Sequence, residues 1–145
     1  MRVEVLCTGD ELLNGSIADT NNPFFMEGLL RLGERVSRST VVGDDRAAIT
    51  EVLREITARA DVVLISGGLG PTADDLTVDA VADAAGVPLE EHASTLERLR
   101  ERYALRGFEL TPNNRRQARV PGGAEVVQNP VGSAPMLVVR IGSCT

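Results

Sequence analysis

Val62 to Thr77 reads VVLISGGLGPTADDLT, an apolar run leading into three glycines within four positions and then into a Thr and two Asp. This order predicts a strand, a turn and the start of a helix. Gly67, Gly68 and Gly70 permit positive φ and close approach of a ligand to the backbone, and the amides of Thr72 to Asp75 would face that space from a helix N-terminus. Such a turn suits a phosphate. A Walker loop does not fit, because it needs Lys where this chain has Pro71. Gly68 to Ala73 satisfies GxGxxA, but it follows the third predicted strand and is followed by Asp74 and Asp75, where a pyrophosphate would dock.

Two further groups of acids follow predicted strands. Arg2 to Thr8 leads into Gly9-Asp10-Glu11, and Glu34 to Gly43 leads into Asp44-Asp45. One rim would then hold Thr8, Asp10, Glu11, Asp44, Asp45 and the glycine turn with Thr72, Asp74 and Asp75. Two unit charges about 4 Å apart repel by roughly 4 kcal/mol at an effective dielectric near 20, whereas a helix N-terminus returns only about 0.3 to 2 kcal/mol. A cation is therefore expected, and oxygen donors without His or Cys call for Mg²⁺ or a similar divalent ion. Singly, each residue has a plainer use: Asp44 and Asp75 as helix N-caps, Asp10 in a turn, the glycines as loop geometry. Their joint occurrence on one rim favours chemistry.

The elements that would position these groups follow from periodicity. A helix is expected from Pro23, preceded by Asp19 to Asn22 and stopped by Gly33, with Phe24, Phe25, Leu29, Leu30 and Leu32 as its apolar face. A second should follow Asp44, with Ile49, Val52, Leu53 and Ile56 inward. A third should run from Asp75 to Ala85 and end at Gly86, and a fourth from Leu89 to Arg106, carrying the only histidine, His92, without a role. A short helical piece at Asn113 to Ala118, a turn at Pro121-Gly122-Gly123, and strands at Glu125 to Val127 and Met136 to Ile141 complete the chain. Alternating strands and helices predict an α/β fold, a three-layer sandwich on a mostly parallel sheet.

With 145 residues, 43% hydrophobic and 25% charged, the chain suits a single domain over residues 1–145. A net charge of -6 disfavours nucleic acid or an anionic membrane as partner and leaves a small molecule. Cys7 and Cys144 stand far apart with no metal-ligand spacing, consistent with free thiols in the cytoplasm. No run has the length of a membrane span and no signal-peptide pattern opens the chain.

Thr8 to Gly15, Asp19-Thr20-Asn21 and Gly67 to Thr77 resemble the N-terminal domain of the CinA competence/damage-inducible proteins, itself similar to the molybdopterin-binding family of MoaB and Mog. Asn113, Gln117 and Asn129 to Pro135 extend the resemblance over nearly the whole chain. It implies a molybdopterin-binding-like fold and roles for Asp44 and Asp75, the latter in a GGxG…D-x-T motif that binds ligand and supports phosphoryl or nucleotidyl chemistry. The CinA branch further implies hydrolysis of ADP-ribose or a similar nucleotide diphosphate with Mg, Mn or Co. On that reading Asp75 and Asp44 are catalytic, Asp10 and Asp75 hold the metal, and Thr8, Gly67, Gly68, Gly70, Thr72 and Thr77 bind the phosphates. The alternative is a module that binds molybdopterin or another phosphate ligand without turnover. The resemblance also implies a homo-oligomer. Met136 stands where the family has Gly, and the chain stops before the family's Pro-Gly-x-Pro loop and closing helices, so a domain shortened at its C-terminal end is expected.

Overall fold

The structure, a computed structural model, describes residues 1–145. β1 (Val3–Thr8) lies at its centre with all six residues buried. It is followed by α1 (Asp10–Leu13), α2 (Asn21–Arg31), β2 (Val36–Val42), α3 (Arg46–Thr57) and β3 (Val62–Ser66). β2 and β3 pair in parallel with opposite edges of β1, giving the order β2-β1-β3. The first crossover runs one way from β1 and the second runs back past it, so right-handed connections put α2 and α3 on opposite faces. This is the expected three-layer α/β arrangement.

The remaining elements are α4 (Thr77–Ala85), β4 (Leu89–Glu91), α5 (Ala93–Ala104), α6 (Pro112–Arg115), a 3-10 turn at Arg116–Ala118, β5 (Arg119–Pro121), β6 (Glu125–Val127) and β7 (Met136–Val138). These strands stay outside the parallel sheet: β4 pairs antiparallel with β5, and β6 with β7, in two small sheets. The helix expected from Leu89 is consequently split. Leu89 to Glu91 are drawn into a ladder with Arg119 to Pro121, and α5 starts only after His92. His92 stands at the N-cap position with Nδ1 2.8 Å from Thr95 Oγ1, so it is not a helix residue as expected. β7 is also shorter than expected. Ile141 instead faces Cys144 in a bridge around Gly142-Ser143.

The main core joins Leu6 of β1 to Ile49, Leu53 and Ile56 of α3, Ala80 and Val81 of α4, and Cys144. Arg46 ties α3 to α4 through paired bonds of 2.6 and 2.8 Å to Asp83. The apolar face of α2 is uncovered, for the helix buries no residue, and Phe24 and the C-cap residue Leu32 are 72% and 80% exposed. No helix is long and apolar enough to cross a membrane.

Glu4 is fully buried in β1 and takes a two-pronged contact from Arg59, Nε to Oε1 at 2.9 Å and Nη2 to Oε2 at 2.8 Å. The Arg59 hydrogen bond, outweighing burial, holds the Glu4 carboxyl below its ordinary value of 4.5. Its stabilising contribution is therefore complete above pH 4.5 and is lost as pH falls through the lower folded value. Urea midpoints of the wild type should drop across that acid window, and Glu4→Gln should flatten that part of the profile. Leu53→Ala, which empties a fully buried site in the main core, should lower the unfolding free energy by about 2–5 kcal/mol in the same assay.

Candidate functional site

The reversal of winding at β1 leaves a crevice beyond the C-terminal ends of β1 and β3, the position where ligands bind in open α/β sheets. Cys7 lies opposite Ser66 in register, so Thr8-Gly9 and Gly67-Gly68 leave the sheet side by side. Gly67 (φ 102°) and Gly68 (φ 60°) adopt consecutive positive φ, and a Cβ on Gly67 would stand 2.1 Å from the Thr8 carbonyl oxygen. No other residue fits there. The amides of Gly67, Gly68 and Leu69 donate to no protein acceptor, so three donors remain free at the turn.

Asp75 holds the far side of the turn. Its Oδ1 accepts from the Gly70 amide at 2.7 Å, and its Oδ2 accepts from the Thr72 amide at 2.8 Å and the Thr72 hydroxyl at 2.6 Å. Burial opposes the charge, but the bonds from Thr72 and Gly70 and the nearby Arg116 outweigh it and hold the carboxyl below the usual range. Asp75 is therefore no helix cap, because α4 begins at Thr77 behind Leu76. The expected set of free amides from Thr72 to Asp75 shifts accordingly, since the Thr72 amide is spent on Asp75 and the Asp75 amide turns back to the Thr72 carbonyl.

Thr8 and Thr77 are buried beneath the turn with their hydroxyls 2.9 Å apart, and a Cβ on Gly68 would stand 2.4 Å from Thr77 Oγ1. They form its floor. On the neighbouring strand end, Asp10 and Asp44 lock together: the Asp10 amide donates to Asp44 Oδ2 and the Asp44 amide to Asp10 Oδ1, both at 3.1 Å. The cap of α3 is Asp45, which accepts from the Ala48 amide at 2.7 Å, so the capping role expected of Asp44 belongs to its neighbour. Asp10 Oδ2 and Asp44 Oδ1 accept no protein donor. No group of three His, Cys, Asp or Glu side chains converges in a metal-binding cluster.

Two residues of the site escaped the sequence reading of chemistry. Arg116 donates to the Thr72 carbonyl at 3.0 Å, and Gln117 Nε2 donates to the Leu69 carbonyl at 3.2 Å, both from the 3-10 turn. They close a small cavity of about 30 Å³, roughly one water, with Asp75 and Gly70 on its other wall. Gln117 Oε1 is buried in this wall without a partner. Nothing in the local pattern marked Arg116, whereas Gln117 was marked only by resemblance. Cys7 carries no nucleophilic role, since burial, then the Asp19 carboxylate, pushes its thiol up to about 11.

Residues 4–143 match the family described as "Probable molybdopterin binding domain". The chain is 55% identical over 142 residues to a CinA-like protein of Myxococcus xanthus, covering 98% of this chain and 34% of that protein. A CinA-like protein of Citrifermentans bemidjiense is 50% identical over 143 residues, again 98% of this chain and 34% of the relative. The chain thus spans about a third of the length of the curated relatives it matches. Among solved structures, CinA of Thermoplasma acidophilum superimposes with a TM-score of 0.91 at 34% identity, over 99% of this chain and 85% of that one. The molybdopterin biosynthesis enzyme MoaB of Thermus thermophilus superimposes with a TM-score of 0.55 at 27% identity, over 69% of this chain and 62% of that one.

Asp75→Asn tests what holds the turn. The amide nitrogen of Asn would replace one accepting oxygen and face a backbone N–H that it cannot satisfy. Hydrogen exchange should speed up by about tenfold or more at the Gly70 and Thr72 amides while β1 stays protected. Unchanged exchange at both amides would show that the turn does not depend on this carboxylate.

Proposed function

Because the chain belongs to the molybdopterin-binding domain family and is CinA-like over nearly all its length, we propose that it is a metal-dependent pyrophosphatase for ADP-ribose or a similar nucleotide diphosphate. The observation that carries this reading is the pairing of opposite characters in one crevice. Free amides of Gly67 to Leu69 are ready for phosphate oxygens, and Asp10 and Asp44 keep one oxygen each open nearby.

The donor set fits a hard divalent ion. Mg²⁺ is commonly held at phosphate sites by one or two carboxylates, with phosphate oxygens and water completing its shell. Asp10 and Asp44 supply that pair. Asp75 has fewer lone pairs to give, because three donors already occupy its oxygens, and it reaches a cation only through what Oδ1 retains. When bound, the ion would neutralise the diphosphate and make a coordinated water more acidic. The chain's own residues do the rest. Gly67 to Leu69 bind and orient the diphosphate, Asp75 and Thr72 keep those amides aimed, Thr8 and Thr77 support the turn from below, and Arg116 brings a positive charge beside it. Asp75 is a weak base, since the same hydrogen bonds that place it hold its carboxyl below the usual range.

A second reading has its own support: with no third acid converging on Asp10 and Asp44, the crevice would bind a pterin or other phosphate without turning it over. Cytoplasmic location and self-association belong to the same proposal, the latter resting on α2, where Phe24, Leu30 and Leu32 are 72%, 58% and 80% exposed. Sedimentation at micromolar concentration should give a species larger than the 15.5 kDa chain, and a monomer would remove self-association from the proposal.

Turnover decides between the readings. With Mg²⁺, Mn²⁺ or Co²⁺ the wild type should cleave ADP-ribose, a chelator should abolish cleavage, and Asp44→Asn should lower kcat on the order of a hundredfold, about 2.7 kcal/mol, while melting near the wild type. Tight binding of ADP-ribose or a pterin phosphate with no cleavage under any of these ions would replace the enzyme by the binding module.

A further inference from the structure

Gln117 is a costly residue for its place. It stands in the 3-10 turn, 9% exposed, with Nε2 donating to the Leu69 carbonyl at 3.2 Å and Oε1 buried without a partner. One hydrogen bond to a neutral carbonyl does not offset a buried oxygen left unpaired, so an apolar side chain of similar volume would fill the space at least as well. Packing therefore does not account for Gln117. Its use lies in the bond to Leu69.

Leu69 stands between Gly68 and Gly70, so the peptide units on both sides of it rotate at little steric cost. Each unit is planar with its carbonyl and N–H opposed, so holding one end fixes the other. In the unit joining Gly68 to Leu69, the Gly68 carbonyl accepts from the Thr77 amide at 3.3 Å, and the N–H at the opposite end is the free amide of Leu69. In the next unit the Leu69 carbonyl accepts from Gln117, and the Gly70 N–H donates to Asp75 Oδ1 at 2.7 Å. Three contacts thus fix the backbone on either side of the Leu69 amide. Thr77 and Asp75 belong to the same segment as the turn, whereas Gln117 lies 48 residues beyond Leu69. Its own backbone is held firmly: the neighbouring Ala118 is fully buried against Leu96 and Leu99 of α5, its carbonyl accepts from the His92 amide at 2.8 Å, and Arg119 to Pro121 continue into the ladder with β4.

Granted that the amides of Gly67 to Leu69 bind phosphate, on which this rests, we propose that Gln117 is a positioning residue for the phosphate-bearing ligand. It holds the Leu69 carbonyl, and through that peptide unit keeps the Leu69 amide aimed at a phosphate oxygen, without touching the ligand itself. The small antiparallel sheet of β4 and β5 and the core beneath α5 gain a use by this, since they carry the Gln117 side chain to the glycine turn and keep it there.

Gln117→Met keeps the charge and nearly the volume of the side chain but has no donor for the Leu69 carbonyl. Its Tm should stay within a few degrees of the wild type or rise. The N–H order parameter of Leu69 in the ligand-free protein should fall. The dissociation constant for inorganic phosphate with Mg²⁺, read from the Leu69 amide shift, should rise about tenfold. Because no charge changes, the ratio of the two dissociation constants should be the same at low and high salt. A loss of roughly ten degrees or more in Tm for both Gln117→Met and Gln117→Leu would make the residue structural and overturn the proposal. Equal phosphate affinity in wild type and Gln117→Met would overturn it while leaving the phosphate-binding turn standing. No phosphate-dependent shift at Leu69 in the wild type would overturn both.

Discussion

β1 comes first in the chain yet lies between β2 and β3, so the winding must go out on one side and return past it to the other, and that constraint organises the molecule. It sends α2 and α3 to opposite faces and opens a crevice where the winding reverses. Each strand that reaches this crevice must turn there, so the residues after β1, β2 and β3 become a shared rim: Gly9-Asp10, Gly43-Asp44 and Gly67-Gly68. The burial of β1 makes the constraint rigid. Its one charged residue, Glu4, is tolerated at full burial because Arg59 meets both carboxylate oxygens.

Within the rim, acids and free backbone amides sit together without mutual cancellation because each carboxylate is engaged differently. Asp75 turns inward and accepts hydrogen bonds from its own loop, so it shapes the turn without filling it. Asp10 and Asp44 are tied by reciprocal amide contacts that leave one oxygen apiece without a protein donor. Three acids on one rim thereby divide into one that holds the glycine turn and two that each keep an oxygen free.

Much of this was legible in the sequence because its causes are local. The apolar run before Gly67 predicts β3 and its turn, the spacing of Ile49, Leu53 and Ile56 predicts α3, and Gly86 ends α4 in the left-handed conformation expected of it. The failures share a physical origin. Whether an Asp caps a helix or closes a turn depends on which amides come within reach, so Asp45 rather than Asp44 caps α3, and Asp75 turns back to Gly70. Leu89 to Glu91 form a strand only because Arg119 to Pro121, about 30 residues on, lie alongside. Arg116 and Gln117 reach the glycine turn by the same long-range packing, which no window around Gly67 contains. The apolar face of α2 is legible in the sequence but its exposure is not, because periodicity shows which residues seek cover and not whether cover is present.

The central claim is that the ligand sits in the crevice between the ends of β1 and β3, with phosphate on the glycine turn and a cation on the neighbouring acids. Amide chemical shifts recorded while ADP-ribose and Mg²⁺ are added test it most directly. The account predicts the largest shifts at Gly67, Gly68 and Leu69, with Mg²⁺-dependent shifts at Asp10 and Asp44 and little change along α5. Shifts centred away from the three strand ends, or saturable binding that leaves the amides of Gly67 to Leu69 unmoved, would contradict it.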